Sequence, residues 1–150
     1  MIARNGKWEP VGKKGFSKGG AIYLSIAAEN NRIFIGYQDA GIANRAIVEE
    51  YSGNEWHLVG GTPFFPAIAN FISIAVYRGD PYAAFSDSTH GYRATAVAFK
   101  GGKLQTIGSP AFSMAGQGYT KMCIDGGTVY VAYSDGGQNG KITVMRCQGQ

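Results

Sequence analysis

The stretch YTKMCIDGGTVYVAYSD, from Tyr119 to Asp135, decides the fold because it encodes two strands and the turn between them. Side chains from Tyr119 to Asp125 alternate between two sides, which is the period of a β-strand. Asp125-Gly126-Gly127 then supplies the residues that a tight hairpin turn favours. The next segment, Thr128–Ser134, is rich in Val, Tyr and Ala and predicts a second strand. The pattern therefore indicates an antiparallel hairpin.

Two further strands extend this hairpin into a meander. After a loop, residues Lys141–Cys147 predict a third strand. A fourth strand is expected in the segments that carry a Trp, Lys7–Val11 and Glu55–Val59. We name the four strands A, B, C and D, from the inside outward. On this interpretation the chain begins with a D strand and ends after the C strand of its third set.

The whole pattern occurs three times at a spacing of 48 residues, without an insertion. A fixed period of about 40 to 50 residues is typical of a β-propeller blade or a solenoid repeat. Repeats are expected at about 5–52, 53–100 and 101–148, within one half-propeller domain that spans 1–150. Aligned positions, which we call columns, are Trp8, Trp56 and Leu104; Gly12, Gly60 and Gly108; Phe16, Phe64 and Phe112; Tyr23, Phe71 and Tyr119; Tyr37, Phe85 and Tyr133; Asp39, Asp87 and Asp135; Arg45, Arg93 and Lys141.

Three blades are too few to close a ring, because propellers contain roughly 4 to 8 blades. We therefore expect an all-β β-propeller with three four-stranded blades per chain, which assembles as a homodimer into a six-bladed ring. The N-terminal D strand of each copy would complete the last blade of the other and so cover an open sheet edge. The expected mass is twice the 16.0 kDa of one chain. A fragment of a longer propeller is the alternative interpretation.

Composition favours a protein of many short strands and tight turns, with 23 Gly in 150 residues and only 16% charged residues. The net charge of +4 is scattered, which argues against a nucleic-acid partner. No segment is long and apolar enough to cross a membrane, and the N-terminus lacks the apolar core of a secretion signal. A cytoplasmic protein is expected. Cys123 and Cys147 are expected to be buried and too far apart for a disulfide.

Short motifs also indicate a family. The segments Tyr130–Asp135, Trp56–Gly60 and Gly15–Ser17 resemble a bacterial β-propeller repeat with the pattern YVAYSD … W..VG … FS. The likeness covers all three repeats and implies the propeller fold, but no activity. The third repeat departs from it, with Leu104 in place of Trp and Lys121 in place of Ser. In its assembly the chain is similar to small six-bladed lectins, in which short chains form a ring and bind sugars between blades.

Two loops of each repeat are expected on the same face of the ring, which we call the loop-rich face. An Asp and a basic residue, six positions apart, delimit each loop between strands B and C. These residues could hold ligand hydroxyls, or the Asp could cap the turn and pair with the basic residue to fix the loop. The D–A loops are Gly12–Ile22, Gly60–Asn70 and Gly108–Gly118, and the B–C loops are Asp39–Arg45, Asp87–Arg93 and Asp135–Lys141.

The second B–C loop, Asp87–Arg93, differs from the other two. It contains His90, Tyr92 and Arg93, which provide a titratable ring, an aromatic face and a fork of donors. Lys121 replaces a Ser in strand A, which is expected to line the central channel. The candidate ligand-binding residues are Asp87, His90, Tyr92, Arg93, Asp39, Arg45, Asp135, Lys141 and Lys121.

Catalysis has little support in the sequence. HExxH, CxxC, GxSxG and phosphate-binding Gly motifs are absent, and too few carboxylates accompany Asp135 for a calcium loop. We expect a non-catalytic binding module without cofactor or metal, whose partners are a second copy of itself and a carbohydrate or other small polar ligand on the loop-rich face. The alternatives are a protein-interaction scaffold with an apolar patch around Phe64, Phe65 and Ile68, and a glycan hydrolase or lyase.

Overall fold

The computed structural model describes residues 2–4, 6–61, 63–65 and 67–148, with the side chains of 2–4 left out. The fold is all-β, as the sequence predicts, and every strand pair is antiparallel. The strands are β1 (Ile2–Arg4), β2 (Lys7–Glu9), β3 (Ala21–Glu29), β4 (Arg32–Asp39), β5 (Arg45–Ser52), β6 (Glu55–Leu58), β7 (Ala69–Tyr77), β8 (Asp80–Asp87), β9 (Arg93–Lys100), β10 (Lys103–Thr106), β11 (Gln117–Asp125), β12 (Thr128–Asp135) and β13 (Lys141–Gln148).

These strands form three successive meanders, which we call blades 1, 2 and 3. Blade 1 has the order β3-β4-β5-β6 and blade 2 the order β7-β8-β9-β10. Among the described residues, blade 3 has three strands in the order β11-β12-β13, so two sheets have the four strands expected and the last lacks strand D. In each of the first two blades, strands A to D follow one another in chain order, which is the meander that the repeat predicts.

The core lies between the blades, because each sheet packs its apolar face on the next. Phe34 and Val48 of blade 1 are buried against Ile72 and Ile74 of blade 2. On its other side, blade 2 presents Tyr82 and four Ala residues to Val129, Val131 and Tyr133 of blade 3. A sheet sandwiched in this way has two apolar faces. The A strands β3, β7 and β11 are neighbours, as in propeller blades around an axis.

A β-bulge recurs in every A strand at the aromatic column. The register of β3 with β4 shifts between Ile22 and Ser25, and the two later A strands shift at the aligned positions. Tyr23, Phe71 and Tyr119 within these bulges have φ of 56°, 53° and 52°, a region that bulky residues seldom adopt. Their rings form a row, with centroids 4.7 Å apart between the first two and 5.1 Å between the last two. Aromatic packing between blades thus accompanies the strained backbone.

The N-terminal segment differs from the expected D strand in its pairing. Residues Lys7–Glu9 form β2, but its strand partner within the chain is β1, with Trp8 opposite Ala3. The repeat pattern did not predict this hairpin, because β1 (Ile2–Arg4) lies before the first repeat and has only three residues. Within the part of the chain that the structure describes, β2 does not pair with blade 3. Its exchange between copies stays a prediction.

Two expectations about the cysteines have different outcomes. Both thiols are free, as expected. Their predicted burial is wrong, because Cys123 is exposed and Cys147 is only half-buried. Cys123 lies in blade 3, one face of which has no neighbour within the described chain, whereas Cys147 packs partly against the core between blades 2 and 3. Among the described residues, no helix has the length and apolar character needed to cross a bilayer.

Candidate ligand-binding face

The D–A and B–C loops of each repeat lie together, as the sequence predicts for the loop-rich face. A backbone hydrogen bond joins the two loops at the same column in every repeat: Ala40 N–H to Gly20 O at 3.0 Å, Ser88 N–H to Ile68 O at 3.2 Å, and Gly136 N–H to Gly116 O at 3.1 Å. The backbones are close, since a Cβ on Gly41 would lie 2.7 Å from the Gly19 nitrogen. Glycine is therefore required at this contact in the first repeat.

Each Asp of the repeated column caps its own B–C loop. Asp39, Asp87 and Asp135 are all buried, and each starts a short 3-10 helix: Ala40–Ile42, Ser88–His90 and Gly136–Gln138. Their Oδ1 atoms accept from the backbone N–H two residues on, at 2.7, 2.8 and 2.9 Å. This is the turn-capping role of Asp. The Oδ1 atom of each carboxylate is therefore occupied by its own loop.

The basic column does not pair with the Asp column. Arg45 and Lys141 are exposed, and each lies opposite its Asp in the strand register. Arg93 donates from Nε to the carbonyl of Ser113 in the D–A loop, and so fixes that loop. No ion pair joins an Asp to the Arg or Lys at the end of its own B–C loop within the described ranges. The expected pairing is therefore wrong, although the expected capping by Asp is confirmed.

Threonines in strand C provide a partner that the sequence patterns did not reveal. Thr95 Oγ1 donates to Asp87 Oδ2 at 3.2 Å, and Thr143 Oγ1 donates to Asp135 Oδ2 at 2.9 Å. In the first repeat this column holds Ile47, and the backbone N–H of Lys18 takes the same place on Asp39, at 3.0 Å. The available signal was a Thr repeated at one column of an otherwise apolar strand.

The second B–C loop has an additional group on its Asp. The Nδ1 atom of His90 lies 2.7 Å from Asp87 Oδ2 and 2.9 Å from Thr89 Oγ1. Because the Thr89 hydroxyl donates to Asp87 Oδ1 at 2.6 Å, its oxygen can only accept from the ring. Both neighbours therefore favour a proton on Nδ1. When the ring is neutral, Nε2 is left as a hydrogen-bond acceptor.

Electrostatics at this loop favour the charged carboxylate. Burial of Asp87 opposes its ionisation, but hydrogen bonds from Thr89 and His90 outweigh that effect, so the pKa of this carboxyl lies below its ordinary value. The His90 side chain is 47% exposed, whereas the Asp87 side chain is 1% exposed. A buried, ionised group thus orients an accessible imidazole. Such an arrangement can present a fixed acceptor to a ligand.

Tyr92 stands next to this pair in a strained conformation. Its φ is 60°, whereas its column mates are Asn44 and Gly140, which tolerate the left-handed region better. The Tyr92 N–H donates to Asp87 O at 2.7 Å, and Ser86 Oγ donates to the Tyr92 carbonyl at 2.9 Å. Tyr92 as a whole is 46% exposed. The loop therefore holds an accessible aromatic ring at a backbone position that favours Gly or Asn.

Lys121 lies apart from this loop. It belongs to an A strand and is exposed. Its column mates Ser25 and Ser73 accept backbone hydrogen bonds from the next blade, each at 2.9 Å, rather than face an open channel. The structure therefore brings together Asp87, His90, Tyr92 and Arg93, and it does not bring Lys121 to them.

Two cavities of about 420 and 410 Å³ lie elsewhere. The first lies between blades 1 and 2 near the short turns, where Arg32 donates to both oxygens of Glu50, at 2.6 and 2.9 Å, and to Gly79 O at 2.7 Å. This Arg thus connects two blades. The second lies beside strand β13 and the third D–A loop, and its lining includes Asp135 and Lys141. Within the described residues, no group of three or more His, Cys, Asp or Glu could hold a metal ion.

Comparisons with known proteins find no matching family model and no matching curated protein. Solved structures do match. One of them is titled a bifunctional GH43-CE protein of Bacteroides eggerthii, with a TM-score of 0.46 and 11% identity over 92% of this chain. The matched part is 25% of that structure's chain, so this chain spans about a quarter of its length.

Proposed function

We propose that the protein is a non-catalytic binding module that recognises a carbohydrate or another small polar molecule at the second B–C loop. One observation carries this proposal. The same loop holds an oriented His90 and an exposed Tyr92 whose backbone is strained. Strain of this kind costs about 1 to 2 kcal/mol and persists at sites where a side chain is needed in one place. The aligned loops of blades 1 and 3 have neither residue.

The two side chains suit a ligand with an apolar face and hydroxyl groups. The Tyr92 ring offers a flat surface on which a sugar ring can stack, and its hydroxyl is a donor or acceptor. The His90 Nε2 atom can accept a hydrogen bond from a ligand hydroxyl. Both groups are about half exposed, so a ligand need not displace protein contacts.

The alternative of a protein-interaction scaffold required an exposed apolar patch around Phe64, Phe65 and Ile68, and most of this patch is buried or partly buried. Phe64 is 5% exposed and belongs to the core between blades 1 and 2, and Phe65 packs against the same core. Of the three apolar residues considered, only Ile68 is exposed. A glycan hydrolase would need two free carboxylates close together. Asp87, the carboxylate of this loop, is already bound by Thr89 and His90.

The proposal is tested by a glycan array followed by titration calorimetry with the glycans that bind. Tyr92→Gly and His90→Ala should each weaken binding by about 5- to 30-fold, because each removes a direct contact of roughly 1 to 2 kcal/mol. Tyr92→Gly should leave the melting temperature unchanged or raise it, since Gly relieves the positive φ. This separates a loss of binding from a loss of folding.

Gln138→Ala is the matched control, because Gln138 is the exposed column mate of His90 in blade 3. It should bind as the parent protein does. An array without hits, together with no glycan-dependent shift of the melting temperature, would show that the carbohydrate proposal is wrong. Equal effects of Gln138→Ala and His90→Ala would show that the second B–C loop is not the site.

A further inference from the structure

An apolar cavity of about 180 Å³ lies between blades 2 and 3, beside the free edge of β13. Its wall includes residues of the third D–A loop and of strand β13. Four of these wall residues are Ile107, Gly108, Phe112 and Cys147. The outer edge of β13 has no strand partner in the described chain. An open edge and an apolar cavity therefore occur together.

The aligned position in blade 1 is occupied by Trp56. Its Nε1 donates to Val11 O at 3.3 Å, and its ring stacks on Phe16 at 4.7 Å and contacts Tyr51 at 5.2 Å. A Cβ on Gly12 would lie 3.2 Å from Nε1. These four neighbours are the column mates of the four cavity residues: Val11, Gly12, Phe16 and Tyr51 precede them by 96 residues. The cavity is thus the blade 3 counterpart of a Trp site.

Trp8 is the residue whose column fits this cavity. It lies on β2, 48 residues before Trp56, and it is 72% exposed. Full burial of a large aromatic side chain is worth several kcal/mol, so an exposed Trp on a strand indicates a partner surface. The chain thus contains both a Trp without a site and a Trp site without its Trp.

Trp8 cannot reach the cavity of its own chain. Gly12 is fixed on blade 1 by Tyr51 and Trp56, and four residues span at most about 14 Å. Blade 3 lies two sheets away from blade 1, or about 20 Å at the usual sheet spacing of about 10 Å. If Trp8 enters such a cavity, that cavity therefore belongs to a second molecule, which packs on the free face of blade 1.

The free faces of blades 1 and 3 are suited to each other. On blade 1, Ile26 is 66% exposed, although its column mate Ile74 is 5% exposed beneath blade 1. On blade 3, Ile142 is 80% exposed, although its column mate Ala94 is fully buried beneath blade 3. The free face of blade 1 thus corresponds to the face of blade 2 that blade 1 covers. The free face of blade 3 corresponds to the face of blade 2 that blade 3 covers.

Polar groups and charges also correspond. Glu29 accepts from the Gly79 N–H at 2.5 Å across the junction of blades 1 and 2, and its column mate on the free side of blade 3 is the exposed Asp125. If β2 pairs with β13 as β6 pairs with β5, where His57 lies opposite Glu50, then Glu9 lies opposite Arg146. Opposite charges at such a cross-strand pair are favourable.

We propose that β2 of one copy joins β13 of a second copy and inserts Trp8 into this cavity, so that two copies exchange strands and close a six-bladed ring. The interface is separate from the proposed ligand loop, and it is reciprocal, since each copy donates one Trp8 and receives one. Two copies suffice because three would give nine blades, outside the usual range of roughly 4 to 8.

The experiment combines sedimentation equilibrium with disulfide trapping. The full chain should sediment at twice 16.0 kDa. Trp8→Ala should raise the dimer dissociation constant by at least about 30-fold, as for a central aromatic residue of an interface. Leu104→Ala is the matched control, because this column mate lies in blade 2, whose fourth strand is already present, and it should leave the mass unchanged.

Trapping tests which molecule receives the strand. In a Cys123→Ser background, Glu9→Cys with Arg146→Cys should form a covalent dimer under oxidation, and Glu9→Cys alone should not. A monomer of 16.0 kDa at micromolar concentration, a disulfide within one chain, or larger open assemblies would each overturn the proposal. Since none of these readouts involves a ligand, they are independent of the proposed function.

Discussion

The hydroxyl oxygen of Ser25 accepts a hydrogen bond from the backbone N–H of Ile74 at 2.9 Å and so joins the A strands of blades 1 and 2. The same bond recurs one repeat later, from the Met122 N–H to Ser73, also at 2.9 Å. In the third repeat the column holds Lys121, whose ammonium group donates and cannot accept. In blades 1 and 2, the bulge at the aromatic residue ends at the serine of this column. In blade 2, the residue directly after that serine is Ile74, whose N–H donates to Ser25.

Ser73→Ala should destabilise the protein by about 1 to 2 kcal/mol, because the N–H of the half-buried Met122 is left without its partner. Urea unfolding measures this change at constant slope. Lys121→Ala is the control at the same column and should change the free energy of unfolding by less than about 0.5 kcal/mol, as an exposed side chain does. Equal effects of the two substitutions would argue against the interblade bond as a source of stability.

Asp87 should make the free energy of unfolding depend on pH in acid. Its folded pKa lies below the unfolded value of about 3.9, so the unfolded chain binds more protons between the two values and stability falls as the pH is lowered through them. The contribution is fully present above the unfolded value. Asp87→Asn should cost about 2 to 3 kcal/mol at pH 7, where charged hydrogen bonds to Thr89 and His90 are lost.

The measurement is urea unfolding at several pH values between about 2 and 7. Asp87→Asn should show a shallower decline below pH 4 than the parent protein. Glu55→Gln, which removes an exposed carboxylate from β6, should follow the parent curve closely. If the Asn variant declines as steeply as the parent, the Asp87 carboxylate is not the group whose protonation destabilises the fold.

The repeat predicted the blades well, because its columns report which side chains pack between sheets. Phe34, Ile74 and Val131 come from apolar strands, and all three are buried between blades. The Asp caps were also predictable, since the Asp stands at the start of every B–C loop. Local signals of this kind depend on neighbours in sequence and recur in each repeat.

What could not be predicted depends on partners at a distance. Burial of Cys123 was expected from its apolar column mates, but blade 3 has a free face and the thiol is exposed. Arg93 was expected to pair with Asp87, yet its guanidinium donates to the Ser113 carbonyl, a contact set by the neighbouring D–A loop. Nor does alternation of side chains show that β2 pairs with β1 rather than with a C strand.

Gly60 and Gly61 provide a test of close packing at adjacent positions. Both have positive φ, of 78° and 70°, but an added Cβ on Gly60 would lie 2.6 Å from the Phe99 ring, whereas one on Gly61 would meet nothing within 4 Å. Gly61→Ala should therefore cost only the left-handed backbone, about 1 to 2 kcal/mol. Gly60→Ala should cost about 1 to 3 kcal/mol more, because the ring must move.

Thermal or urea unfolding of the two variants measures this difference directly. Gly60 is the column mate of Gly12 and Gly108, whose added Cβ atoms would lie 2.9 Å from Tyr51 and 3.2 Å from Cys147. The steric cost should therefore decrease in the order Gly60, Gly12, Gly108 when each is replaced by Ala. Equal losses at Gly60 and Gly61 would show that backbone conformation alone, rather than the approach to Phe99, requires glycine.

Lys121→Ser should strengthen the proposed dimer. In the closed ring, residue 121 of one copy occupies the position that Ser25 and Ser73 hold at the junctions within the chain, so it would face the backbone N–H of Ile26 of the second copy. A serine there can accept that hydrogen bond at each of the two junctions between copies, which together are worth about 2 kcal/mol and correspond to a roughly 30-fold lower dissociation constant. Lys121→Ala removes the charge without adding an acceptor, so its dissociation constant should be higher than that of Lys121→Ser in sedimentation equilibrium. Identical constants for the two variants would place the second copy in a register in which residue 121 and Ile26 do not meet.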